Sequence, residues 1–165
     1  MAARALKQLI DKTGIPFVTT QLGKGVVDER HPRFVGNAAL STGDFVHRAF
    51  ESADLIVNVG HDLSEKPPFL MVRGSTEVIH IDYRSAEADA LYFPQLEVTG
   101  DIADAVLRIG DALNNTVQWD FTRLLAIREA NEVQIAEGAD DDRYQSFAAR
   151  AFTELAAEIS AQLNG

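Results

Sequence analysis

The chain contains no cysteine, so neither a disulfide framework nor a thiolate metal site can be built from it, which fits a cytoplasmic protein. Basic residues are scarce: 15 Lys and Arg stand against 25 Asp and Glu, for a formal charge of −10. Nucleic acids and anionic membranes are recognised by basic patches, and none is visible here, so neither is an expected partner. No apolar run approaches the ~20 residues that a membrane-spanning helix needs. The opening Met1-Ala2-Ala3-Arg4-Ala5-Leu6-Lys7 lacks the apolar core of a signal peptide and reads as the start of an amphipathic helix. His31, His47 and His61 share no helix-face or hairpin spacing, so no metal site is expected. Nor does any serine, histidine and carboxylate set nominate itself as a hydrolytic triad. The shortage of basic side chains leaves an anionic cofactor open, because backbone N–H groups at helix starts hold phosphate unaided.

What the chain does have is an apolar content of 46% over 165 residues, enough for one ordinary domain with a sizeable core and some extra length. Its organising stretch is Asp54-Leu55-Ile56-Val57-Asn58-Val59-Gly60, a β-branched run that reads as a strand buried on both faces and opening at Gly60 into a loop. Val78-Ile79-His80-Ile81-Asp82 is a second such strand, and Leu96-Glu97-Val98-Thr99 a short third. Ahead of them, Leu6, Leu9 and Ile10 set a helix over 3–12, with Gly14 at its left-handed C-terminal cap. Ile15-Pro16-Phe17-Val18-Thr19-Thr20 reads as a strand with proline confined to its first positions. Ser41 or Thr42 caps a helix over 43–52 that buries Phe45, Val46, Ala49 and Phe50. Pro67-Pro68 breaks regularity over 61–68, a short apolar segment covers 69–72, and 85–89 is a polar short helix or turn. Gly100-Asp101 opens a helix carrying Ile102, Val106, Leu107 and Ile109. Strands alternating with helices predict an α/β fold, a three-layer α/β/α sandwich around a central parallel sheet.

Past Asn114-Asn115 the strand signals stop. A helix is expected over 119–136, an acidic break at 138–142, and an amphipathic helix over 144–163 with Phe147, Ala151, Leu155, Ile159 and Leu163 every four residues. The expected division is therefore 1–115, a helical connector 116–142 and a terminal helix 143–165, whose apolar stripe suggests a homo-oligomer.

The succession Ile15-Pro16-Phe17-Val18-Thr19-Thr20, Gly23-Lys24-Gly25, His31-Pro32, Gly36, Ala53-Asp54-Leu55-Ile56-Val57-Asn58-Val59-Gly60, Val78-Ile79-His80-Ile81-Asp82 and Val98-Thr99-Gly100-Asp101 resembles the central domain of thiamine diphosphate-dependent enzymes. Within that superfamily the likeness is to the acetolactate synthase (acetohydroxyacid synthase) large subunit, over about Leu6 to Leu113. The resemblance implies a Rossmann-like domain of the FAD/NAD-binding type. Its partners would be two flanking catalytic domains, which bind thiamine diphosphate and Mg2+. Gly110-Asp111-Ala112-Leu113-Asn114-Asn115 imitates the family's metal motif in letters, but it lacks the second glycine and reads as the polar end of a helix.

Flavin-containing members grip FAD with this domain, and the matching positions are Gly60, His61, Asp62, Asp82, Tyr83, Gly100 and Asp101. Glycine admits a cofactor to the backbone, Asp82 is placed to accept from a ribose hydroxyl, and the Gly100 and Asp101 amides would face outward. Against flavin stand Asn37-Ala38-Ala39-Leu40-Ser41-Thr42, without the family's glycine, and Asp62 and Glu65 where arginines would meet a pyrophosphate. The expectation is thus a mainly structural domain. An FAD- or ADP-binding module and a nucleotide-free interaction domain are the alternatives. The structural readings run beside these: Gly60 and Gly100 as tight turns, Asp82 as a turn cap through Ser85, His80 as a hydrogen-bonded core histidine, and Lys24 as an exposed loop residue.

Overall fold

A computed structural model describes residues 1–38, 45–61, 71, 73–86, 92–113 and 119–139, the side chains of 45, 131 and 134–139 excepted. The cap at Ser41 or Thr42, the acidic loop with Asp62, the proline pair, most of the segment 69–72, residues 87–89 of the polar turn and the terminal helix lie outside the described residues.

Helix α1 (Ala2–Thr13) stops where the sequence predicts. Gly14 takes φ 70° and ψ 13°, and its N–H donates to the Ile10 carbonyl at 2.8 Å. This left-handed position favours glycine, and a Cβ there would also come within 3.2 Å of the Arg33 guanidinium. After Pro16 the chain enters β1 (Phe17–Thr19), which pairs in parallel with β2 (Phe34–Asn37) through an irregularity between Phe17 and Val18. His31 anchors the long connection between them. Its Nδ1 accepts from the Arg33 N–H at 3.1 Å, its Nε2 lies 3.1 Å from the Asp11 carboxylate, and its ring packs on Phe17.

Helix α2 (Phe45–Ser52) buries Val46, Ala49 and Phe50 at helical spacing and leads into β3 (Leu55–Val59). Strands β3, β4 (Glu77–Asp82) and β5 (Leu96–Thr99) form an all-parallel sheet in the order β3-β4-β5. In-register partners such as Val59, Ile81 and Val98 share a face, while their neighbours point to the other. One face carries Ile56 and Val78, which pack with Val46 and Phe50 of α2 and with Met71 and Tyr92. The opposite face carries Val59, Ile81 and Val98 beneath α1 and α3 (Ile102–Ala112), with Ala5, Ile102 and Val106 buried between them. Helices cover both faces of a parallel sheet, which is the three-layer α/β arrangement that the alternating pattern predicts.

The expectation that β3 is buried on both faces does not hold. Leu55 and Val57 are 43% and 42% exposed, and Leu96, which flanks the Val57 row across β4, is 54% exposed. Helices α1 and α3 close over the carboxyl-terminal rows of the sheet and leave its amino-terminal rows open on that side. Leu107 is exposed, because it follows Val106 around the helix by about a quarter turn and faces outward.

Helix α4 (Thr122–Ala139) begins after Asp120, whose carboxylate accepts from the Thr122 N–H at 2.9 Å and is held below the usual carboxylate range by the Thr122 hydroxyl first and by that N–H second. The chain divides into two compact units, Met1–Glu129 and Ala130–Gly165, and α4 runs through the boundary. In the first unit, Arg128 donates to the Pro32 carbonyl at 2.6 Å. The second is described only along the end of α4. None of the described helices is long and apolar enough to cross a membrane.

Candidate functional site

In a parallel sheet all strands end on one side, and ligands of such folds bind beyond those carboxyl ends. Here that edge is formed by Gly60, Asp82 and Gly100. Each follows or ends a different strand, so residues distant in sequence are brought side by side. Gly60 takes φ 65°, and its N–H donates to the Ile81 carbonyl at 2.9 Å, extending the β3–β4 ladder by one step. Gly100 takes φ 151° and donates to the Asp82 carbonyl at 2.9 Å, doing the same for β4–β5. The expectation that the Gly100 amide faces outward is corrected by this bond. Its hydrogen is spent inside the sheet.

The carboxylates at this edge are also engaged locally. Asp82 Oδ1 accepts from the Arg84 N–H at 3.2 Å and so closes the turn after β4, through Arg84 rather than Ser85. Asp101 is the N-cap of α3, where its Oδ1 accepts from the Asp104 N–H at 2.9 Å. Tyr83 projects outward and is 61% exposed. Asp62 lies outside the described residues. Asp101→Ala is therefore expected to cost about 1 kcal/mol of stability through the lost cap, with Asp101→Asn nearly neutral; urea midpoints of the two variants check this.

His61 does not face the rim. It is buried, and its ring packs 6.1 Å from that of Tyr92. Tyr92 is fully buried and heads the most connected polar group described in the core. Its hydroxyl accepts from Asn58 Nδ2 at 3.0 Å and lies 2.9 Å from His80 Nδ1, while His80 Nε2 lies 3.1 Å from the Arg84 carbonyl. The reading of His80 as a hydrogen-bonded core histidine is borne out. Burial pushes the Tyr92 phenol up, and the Asn58 bond opposes it.

Sequence reading passed over Tyr92 and Asn58. The signal available was Asn58 itself, an amide in the middle of an apolar strand that must find a partner once buried. Its partner, Tyr92, is 34 residues away and carries no local mark.

The fold and the edge define an α/β domain of the nucleotide-binding type, with its polar groups turned largely to their own backbone. Residues 1–120 match the family described as thiamine pyrophosphate enzyme, central domain, and the chain belongs to that family. The acetolactate synthase of Bacillus subtilis (strain 168) is 30% identical over 110 residues, 66% of this chain and 19% of that protein. The acetolactate synthase large subunit of Pyropia yezoensis is 26% identical over 113 residues, 67% of this chain and 19% of that protein. The pyruvate decarboxylase of Hanseniaspora uvarum is 52% identical over a shorter stretch of 62 residues, 36% of this chain and 11% of that protein. The chain thus spans a fifth or less of the length of these relatives.

The family implies thiamine diphosphate, usually with Mg2+, in the parent enzyme, and the residues described here do not fit that group. Gly110, which with Asp111 opens the apparent metal motif, is buried in the last turns of α3, and its carbonyl accepts from the Lys12 ammonium of α1. Among the described residues no three histidine or carboxylate side chains converge on one point. Gly110 joins two helices and opens no cradle for a diphosphate.

Proposed function

We propose that this chain is the central, mainly structural domain of a thiamine diphosphate-dependent 2-oxo acid carboligase or decarboxylase resembling acetolactate synthase. Its work is to separate and orient two catalytic domains that bind thiamine diphosphate and Mg2+, and the chain alone is inactive. The parent enzyme decarboxylates pyruvate and joins the two-carbon unit to a second 2-oxo acid, and it is a cytoplasmic homo-oligomer. The observation that carries the structural role is the engagement of Gly60, Asp82, Gly100 and Asp101 by backbone partners within the domain. A flavin or ADP site at this edge would need some of those groups released, so a cofactor-binding role is the weaker reading.

The chain incubated with pyruvate, thiamine diphosphate and Mg2+ is expected to consume no pyruvate, and calorimetry with FAD or ADP at about millimolar concentration is expected to give no saturable heat. Turnover would end the scaffold reading, and saturable heat would restore the binding module. One observation favours a second parent: the 52% identity to a pyruvate decarboxylase over 62 residues. Product analysis of the full-length enzyme separates the two, since a carboligase yields the joined acid and a simple decarboxylase the free aldehyde.

A further inference from the structure

Strand β3 has the sequence of a central strand and the position of an edge. Its apolar, β-branched run suits a parallel sheet covered on both faces, yet it pairs with β4 alone, and the described strands form two separate sheets, β1-β2 and β3-β4-β5. The Gly60 N–H points at the Ile81 carbonyl, so the alternate residues Ile56 and Asn58 also face β4. The backbone groups of Leu55, Val57 and Val59 are turned to the other edge, where they pair with nothing among the described residues. In β1, Phe17 and Thr19 bond towards the β2 side, to Arg33 and Ala38, and Val18 faces away from it. Edge strands are ordinarily protected by lysine, proline or a bulge. Leu55–Val59 contains neither residue and runs in straight register with β4.

The two free edges lie around one core. Val18 of β1 packs on the cluster that holds Ile56 of β3. Parallel strands are joined by a crossover, usually a helix, and α2 stands between β2 and β3 in this way. Helix α1 packs on the sheet at Val59, Ile81 and Val98 and then delivers β1, so it has the place of the helix in a strand–helix–strand unit. Successive strands of such units lie side by side about two-thirds of the time. A strand entering α1 thus belongs against β1, on the edge that β2 leaves free.

We propose that the free edges of β1 and β3 take one further parallel strand between them, supplied by the parent polypeptide ahead of α1 and joining the two sheets into one. This strand presupposes that the chain is one domain of a longer enzyme, as proposed above. The relatives, of which the chain spans a fifth or less, have the length to supply it. Its side chains are apolar on both faces, since the cluster around Val18 and Ile56 lies on one side and Val59 beneath α1 on the other.

The test reads amide exchange in the 15N-labelled chain, with and without an extension ahead of Met1. The extension is a second copy of residues 54–60 followed by a linker of about four Gly and Ser residues, an ordinary strand-to-helix length. In the unextended chain the Val18, Leu55, Val57 and Val59 amides are expected to exchange freely, while Ile56 and Asn58 are protected. The extension is expected to slow those four by about tenfold or more relative to Ile56 and Asn58. A gain confined to alternate residues separates strand pairing from general stabilisation. Placed after Gly165, the same segment is expected to have no such effect. In the full-length parent, exchange read by mass spectrometry should be slower over β1 and β3 than in the isolated chain.

Four amides that stay fast in the extended chain overturn the proposal, as does equal exchange of β1 and β3 in parent and isolated chain. Protection that appears in the unextended chain as its concentration rises assigns the edges to a second copy and overturns it as well. So does equal protection from a segment at either terminus, since no crossover through α1 is then needed. If the extended chain does not fold, the comparison with the parent decides. Pyruvate turnover by the parent tests the enzyme reading by itself and does not bear on these amides, so either can fail alone.

Discussion

Tyr92→Ala is expected to be the most damaging single substitution among the described residues. Removing a buried aromatic side chain of this size costs about 3–5 kcal/mol, and the fully buried ring packs against both His80 and His61. The polar loss adds to it, because Asn58 Nδ2 and His80 Nδ1 lose the hydroxyl they share. A buried group stripped of its partner costs about 1–3 kcal/mol. Since a domain of this kind is stable by only about 5–15 kcal/mol, the alanine variant should be partly or wholly unfolded at room temperature. Tyr92→Phe keeps the ring and loses only the hydroxyl, so its loss should stay near the polar share alone. Urea titrations followed by circular dichroism measure both. Equal losses in the two variants would mean that the hydroxyl, not the ring, carries the stabilisation.

The comparison bears on what the domain is for. The Asn58, Tyr92 and His80 side chains are joined across β3, β4 and the segment before β5, whereas at the sheet edge Asp82 and Asp101 are held by their own turns and the Gly60 and Gly100 amides by the neighbouring strand. A domain arranged in this way fixes the relative positions of its strands, and Gly60, Asp82, Gly100 and Asp101 at the rim each spend a group within the domain. That arrangement suits the scaffold role proposed above.

Much of this framework can be read along the chain, for a definite reason. Gly14 after Leu6, Leu9 and Ile10, and Asp101 ahead of Ile102 and Val106, mark helix ends by interactions spanning only a few residues, and the structure places caps at both. The three strands of the main sheet likewise announce themselves by β-branched runs. Coverage of a strand face, by contrast, depends on where distant helices dock, so nothing near Val57 could show that α1 and α3 stop short of it. The same limit applies to His61, whose position after Gly60 suggests the rim and whose ring instead turns to Tyr92. Asp82 and Asp101 were legible as polar residues at strand and helix ends. That Asp82 spends an oxygen on its own turn was an alternative beside the cofactor reading, and the geometry gives it through Arg84; the bond from Asp101 to the Asp104 N–H was not read.

The uneven cover of the sheet yields the second large expected effect. Ile81 is 1% exposed in the row beneath α1 and α3, and Val57, on the same face of the neighbouring strand, is 42% exposed. Ile81→Ala removes a buried side chain between two helices and a sheet, for an expected loss of about 2–5 kcal/mol. Val57→Ala removes carbon that is already partly in water, and its loss should stay below about 1 kcal/mol, the small β-propensity change included. The two variants differ little in chemistry, so the gap between their urea midpoints reports how far the helices reach across the sheet. A Val57→Ala loss as large as that of Ile81→Ala would mean that a further surface closes over the open rows in solution. Its disappearance on dilution would then assign that surface to a second copy of the chain.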